Sequence, residues 1–96
     1  MLQISAVIQS PIFAKQKKKL KANQTKKLDE AVRTIMANPT LGDSKKGDLQ
    51  GIKVYKYKIK NIEILLAYEF TGSTLYLYSF GSHQNFYREL SQYLHH

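Results

Sequence analysis

Residues 49–87 read LQGIKVYKYKIKNIEILLAYEFTGSTLYLYSFGSHQNFY, and the fold turns on how this stretch is read. Three runs of alternating apolar residues sit back to back, separated by two tight breaks and closed by Gly81-Ser82-His83. Successive residues of a β-strand point to opposite faces. In the first run Val54, Lys56, Lys58 and Lys60 therefore share one face, while Tyr55, Tyr57 and Ile59 share the other. One side of a meander carries a row of ammonium groups and the opposite side can be core. Next-but-one residues on a strand lie roughly 6.5–7 Å apart, comparable to the spacing of phosphates along a nucleic-acid strand. The lysine ladder is a candidate phosphate rail.

The two breaks set the registers. A two-residue turn at Asn61-Ile62 places Lys60 opposite Glu63, Lys58 opposite Leu65 and Lys56 opposite Ala67. Gly72-Ser73 has glycine first, as a type II′ turn requires. It places Phe70 opposite Leu75, Tyr68 opposite Leu77 and Leu66 opposite Ser79. The pairings agree on faces. Ile64, Leu66, Tyr68, Phe70, Leu75 and Leu77 go to one side, and Leu65, Ala67, Tyr76, Tyr78 and Phe80 join the lysines and Glu63 on the other.

Upstream, residues 2–8 alternate loosely, with Leu2, Ile4, Ala6 and Ile8 on one face of a short strand. Ser10-Pro11 is a helix start: serine caps, and proline at the first helical position gives up an N–H that would be unpaired anyway. A first helix over residues 11–22 turns Ile12, Phe13, Gln16 and Leu20 inward and Lys15, Lys17, Lys18, Lys19 and Lys21 outward. Asn23 offers a second cap. Leu28, Ala31, Val32, Ile35 and Met36 form an i, i+3, i+4, i+7, i+8 stripe that ends before Pro39 and Gly42. Two helices with a short connection form an antiparallel hairpin, and residues 38–50 form a loop. The basic residues here are either a solvated helix face or a docking surface for a large RNA. Downstream, residues 85–94 read as a helix with Phe86, Leu90, Tyr93 and Leu94 on one stripe, capped by Ser82. It would cover the apolar members of the lysine face.

Bulk properties bound the function. Ninety-six residues, 43% hydrophobic, suit a single domain spanning 1–96 with one modest core, His95 and His96 being set aside as a possible tag remnant. The net charge of +8, from 15 basic against 7 acidic residues, points to polyanionic or acidic partners. With no cysteine, disulfides and thiolate metal sites are excluded. No apolar run approaches a membrane span and no signal-peptide pattern opens the chain, so a cytoplasmic protein without a membrane partner is expected.

His83 is the leading candidate for chemistry. It follows the end of the last strand, near the open end of the face that carries Lys58 and Glu63. An imidazole moves protons at neutral pH, and ammonium groups stabilise charge developing on a phosphate. Together they suit RNA cleavage in which a 2′-OH attacks the adjacent phosphate. Equally, His83 can pack against or cap the following helix. Glu63 is a candidate base or only the cross-strand partner of Lys60. Tyr87 can stack on a base or pack as core, and Lys60 and Arg88 are further candidate substrate contacts. No metal-ligand cluster, Gly-rich phosphate loop or nucleophile elbow is present, and no cofactor is expected.

The order strand, two helices, three-stranded meander and C-terminal helix, with L-x-G before YKYKI, LLAYEF in the middle and a strand ending in G-x-H, resembles the RelE/ParE superfamily of bacterial type II toxins. The similarity spans nearly the whole chain and is strongest over residues 49–87. It implies an α+β fold: a small antiparallel-rich sheet with an N-terminal helical hairpin on one face and a short C-terminal helix. It implies a cognate antitoxin as partner. It also implies either a ribosome-dependent mRNA endoribonuclease that inhibits translation, as in RelE-type members, or a non-enzymatic inhibitor of DNA gyrase, as in ParE-type members. Lys56 and Lys58 match the two catalytic lysines of the RelE type. His83 matches a catalytic histidine of YafQ-like relatives, and Glu63 stands where those carry an aspartate. A RelE-type tyrosine near the C-terminus corresponds to Tyr87. Leu65 occupies the position of a catalytic arginine. The resemblance thus assigns catalysis to His83, Lys56, Lys58 and Glu63 and a substrate contact to Tyr87.

Overall fold

The structure is a computed structural model and describes residues 4–45, 47, 50–82 and 86–88. In chain order the elements are β1 (Ala6–Gln9), α1 (Pro11–Lys18), α2 (Ala22–Ala37), β2 (Asp43–Ser44), β3 (Lys53–Ile59), β4 (Ile62–Thr71) and β5 (Thr74–Ser82). Residues 86–88 are helical, and the rest of the helix expected over 85–94 lies outside the described residues. The five strands form one sheet in the order β1-β5-β4-β3-β2. Only the β1–β5 pair is parallel, as its separation by two helices and three strands allows.

Ser10 begins α1 as its sequence suggests: its Oγ accepts from the Phe13 N–H at 3.0 Å, with Pro11 at the first helical position. The helix stops at Lys18, earlier than expected. A second correction concerns α2, which is capped at Lys21 and not at Asn23. The Gln24 side chain reaches back to accept the Lys21 N–H at 2.9 Å, half of a capping box. Lys17 and Asp29, 3.3 Å apart, bridge the two helices. Both helices lie on one sheet face. Phe13, Leu28, Ala31 and Ile35 bury themselves against Leu66, Tyr68, Leu75, Leu77 and Phe80. A second, smaller cluster occupies the opposite face, where Phe86 covers Ile52, Val54, Leu65 and Ala67.

The meander differs from the sequence reading in three places. The first turn is Lys60-Asn61, with Ile59 paired to Ile62. Lys60 takes a φ of 57°, and Ile62, 58% exposed, begins β4. A branched side chain fits an extended position far better than a turn requiring positive φ. The register therefore slips by two residues, to Lys58↔Glu63, Lys56↔Leu65 and Val54↔Ala67, and an even slip keeps every face assignment. Next, Tyr68 pairs with Leu77 but Ala67 pairs with Ser79, so Tyr78 is the extra residue of a β-bulge. The bulge reverses the phase of β5. Phe80 turns into the helix-side core, edge-on to Phe13 at 5.2 Å, and pairs with Leu66 in place of Ser79. Finally, the loop expected over residues 38–50 contains β2, which pairs Asp43 with Val54 and Ser44 with Lys53.

Buried Tyr68 holds that connection. Its hydroxyl donates to the Pro39 carbonyl at 2.7 Å and accepts the Gly42 N–H at 2.8 Å. Burial pushes its phenol pKa up, against the pull of the Gly42 hydrogen bond. A Cβ on Gly42 would sit 2.7 Å from the Tyr68 oxygen. β1 is an edge strand whose four residues are all exposed. Its pairing puts Ile8 beside Tyr76 on the lysine side, whereas Ile4 packs on the helix-side core, so the single face expected for Ile4 and Ile8 is not formed.

Candidate functional site

Alternation along β3 places Val54, Lys56 and Lys58 on the face opposite the helices. Val54 is buried beneath Phe86, and the two lysines are exposed. Cross-strand partners share a face, so Lys58 stands beside Glu63, and Lys56, Leu65 and Gly81 form one row across β3, β4 and β5. Two strand spacings, about 10 Å in all, separate the lysine strand from Gly81. Among the described residues neither lysine has an ion-pair partner within 4.0 Å, and half-buried Glu63 has none either. Lys60 belongs to the turn and not to the strand ladder.

The bulge matters here because it turns Ser79 and Gly81 toward the lysine face, where alternation alone put Phe80. The signal was in the sequence: Ser79 stands where an unbroken alternation from Leu75 and Leu77 calls for a core residue. Gly81 leaves space against Phe86, whose ring edge lies 4.0 Å from where a Cβ would be. Leu65 is fully buried beneath Phe86, so the position matched to a family arginine carries an apolar floor. Glu69, on the same face by alternation, accepts a hydrogen bond from the Tyr78 hydroxyl at 2.7 Å.

Tyr87 is half-buried at the margin of this floor, edge-on to Phe86 at 5.1 Å, with the Lys45 ammonium 5.2 Å from its ring centroid. That cation–π contact ties the helical turn at 86–88 to the β2 strand's flank. Sequence reasoning had no way to pair Lys45 with Tyr87, because the two are brought together only by β2. Arg88 is exposed beside Tyr87. His83 lies outside the described residues; in the chain it directly follows Ser82, the last residue of β5. Among the described residues no three His, Cys, Asp or Glu side chains converge as metal ligands, and no helix is long and apolar enough to cross a membrane.

On the helix side, the Tyr55 and Tyr57 rings lie near parallel, 21° apart with centroids at 6.4 Å. Burial pushes the Tyr57 phenol up to about 12.

Comparison with known proteins places this architecture. No curated protein matches the chain. Among solved structures, a free-state mutant of the Escherichia coli toxin RelE superposes with a TM-score of 0.67 at 16% identity, covering 96% of this chain and 93% of that one. A chain of the intact E. coli RelBE toxin–antitoxin complex gives 0.62 at 17% identity, covering 78% and 92%. YafQ from E. coli BL21(DE3) gives 0.52 at 20% identity, covering 84% and 94%. The expected α+β, RelE/ParE-like fold is thus present. The family model for ParE-like toxins of type II bacterial toxin–antitoxin systems matches residues 7–91, and the chain belongs to that family of toxins.

Proposed function

We propose that this toxin is a ribosome-dependent mRNA endoribonuclease that works by general acid–base catalysis and is held inactive by a cognate antitoxin. One observation carries the reading: among the described residues Lys56 and Lys58 are exposed without carboxylate ion-pair partners on the face that also bears Glu63, over an apolar floor. Ammonium groups at next-but-one strand positions hold adjacent phosphate oxygens and gain in transition-state stabilisation as negative charge builds on phosphorus. In the proposed step Glu63 takes the proton of a ribose 2′-OH. The 2′ oxygen forms its bond to the adjacent phosphorus, and the bond from phosphorus to the 5′ oxygen breaks. His83 gives that leaving oxygen its proton. The products are a 2′,3′-cyclic phosphate and a 5′-hydroxyl end. Tyr87, Lys60 and Arg88 contact flanking nucleotides. Ribosome and mRNA are the partners, in the cytoplasm.

The apolar Leu65 favours a second reading, because it removes a cationic group that RelE-type catalysis uses. In that reading the chain binds DNA gyrase and cuts nothing. Mapping mRNA ends in cells expressing the wild type and His83→Ala, beside a supercoiling assay with purified gyrase, separates the two. New mRNA ends that vanish with His83→Ala support the nuclease. Gyrase inhibition with intact mRNA supports the rival.

A further inference from the structure

A cleft of about 190 Å³ runs along the seam between α2 and β3, on the sheet face opposite the lysine row. Tyr55 and Tyr57 form its wall, Lys27, Glu30 and Thr34 line the α2 side, and Lys58 stands at its lip. Four observations bear on what it holds. The two rings are near parallel, which offers flat π faces at alternate strand positions. Neither phenol hydroxyl has a hydrogen-bond partner among the described residues, although both rings are partly buried. Lys27 lines the cleft, and among the described residues its ammonium has one ion-pair contact, to Glu30 at 3.8 Å. Beyond Val54, β3 has no outer neighbour among the described residues, so the sheet edge is open from Tyr55 onward.

We propose that this cleft binds an unpaired nucleotide of single-stranded RNA, its base stacked on Tyr55 and Tyr57 and its phosphate on Lys27. The inference rests on RNA being the substrate class, and it adds a second contact site to the lysine face. Aromatic rings on a strand are the usual platform for unpaired bases, because every base has a π face. The phenol hydroxyls and the Glu30 carboxylate supply donors and acceptors for a base edge. The net charge of +8 favours a polyanion over an acidic-poor peptide. Geometry links the two sites. Lys56 and Lys58 alternate onto the opposite face, Lys58 also borders the cleft, and the open β3 edge lies between the cleft and the lysine row. A strand wrapped round that edge places one nucleotide in the cleft while a neighbour lies on the lysine row. The cleft then reads a nucleotide flanking the cut.

The test is fluorescence anisotropy of a labelled short 2′-O-methyl RNA, which resists cleavage, titrated with the wild type, Tyr55→Leu, Tyr57→Leu and Tyr57→Phe. Each leucine variant is expected to bind about tenfold more weakly, and Tyr57→Phe within about twofold of wild type, since the ring remains. Circular dichroism confirms that the variants fold. If a leucine variant does not fold, ring-proton shifts of Tyr55 and Tyr57 in the wild type on adding the RNA replace it. Leucine variants that bind as tightly as a wild type that binds, or unshifted ring protons, overturn the cleft alone. Loss of affinity for the antitoxin and not for RNA also overturns it, marking a protein-docking surface. A wild type that does not bind the free RNA overturns this inference, whereas the nuclease falls only if mRNA also stays uncut on ribosomes.

Discussion

Tyr68 shows how a single hydroxyl organises the edge of this sheet. It joins the carbonyl of Pro39 to the N–H of Gly42 inside the core, and the chain between them leads into β2. Tyr68→Phe leaves the buried Gly42 N–H without a partner, at a cost of about 1–3 kcal/mol. Gly42→Ala drives a methyl into the Tyr68 ring, 2.7–2.8 Å from its Oη and Cε1, and overpacking of this kind costs about 1–3 kcal/mol. Chemical denaturation midpoints check both. Tyr57 offers a pH test with a definite sign. Its phenol is raised from 10.0 to about 12 by burial, so the unfolded chain gives up this proton first. The stability it contributes is fully present below pH 10 and declines as pH rises toward 12. The tyrosinate absorbance titration of Tyr57→Phe should lack the latest component seen in the wild type.

At the scale of elements, the β5 bulge and the β3–β4 turn decide which side chains meet. The bulge is held from α1. Ser10 Oγ donates to the Tyr78 carbonyl at 2.5 Å, and the Gln16 side chain accepts the Phe80 N–H at 3.0 Å. Ser10→Ala loses this bond together with the helix cap, and about 1–2 kcal/mol of stability is expected to go with it. Gln16→Ala strands the Phe80 N–H, at a similar cost. The turn carries the opposite opportunity. Lys60 holds a φ of 57°, where a side chain is strained and glycine is not. Lys60→Gly is expected to stabilise the fold by about 0.5–1 kcal/mol, read from the thermal midpoint. A cleavage rate on ribosomes that falls with Lys60→Gly assigns Lys60 a phosphate contact; an unchanged rate removes it from the site.

These same elements mark how far the sequence could be read. The amphipathic stripe of α2 and the alternation of β3 and β4 were plain, because a period is repeated over many residues. The two-residue register slip was hidden because Asn61 is the better turn former by type, yet Ile62 at its side resists positive φ. The phase break in β5 rested on one polar residue, Ser79. β2 is two residues long and has no period to show.

Over the whole molecule, the division of labour between two sheet faces explains why so small a chain can be both stable and basic. The helices and the Leu66–Tyr68–Leu75–Leu77 side form the main core. Among the described residues the other face keeps only the patch under Phe86, leaving Lys56 and Lys58 exposed. Binding to RNA by an excess of eight positive charges should weaken steeply as salt is raised, because counterions released into more concentrated salt gain less entropy. A lysine-to-alanine change at Lys56 or Lys58 should flatten that dependence. Among the predicted site residues, Lys56, Lys58 and Glu63 share one face as expected, whereas their relation to His83 was legible only as chain order.

The most direct test maps mRNA 5′ ends in cells that express the wild type, the Lys56→Ala/Lys58→Ala double variant and His83→Ala. New 5′-hydroxyl ends are expected with the wild type, reduced about 10²–10⁴-fold when His83→Ala removes the general acid and about 10²–10³-fold or more when the phosphate-holding lysines are lost. Intact mRNA in growth-arrested cells, or cleavage that persists unchanged in both variants, would contradict the nuclease.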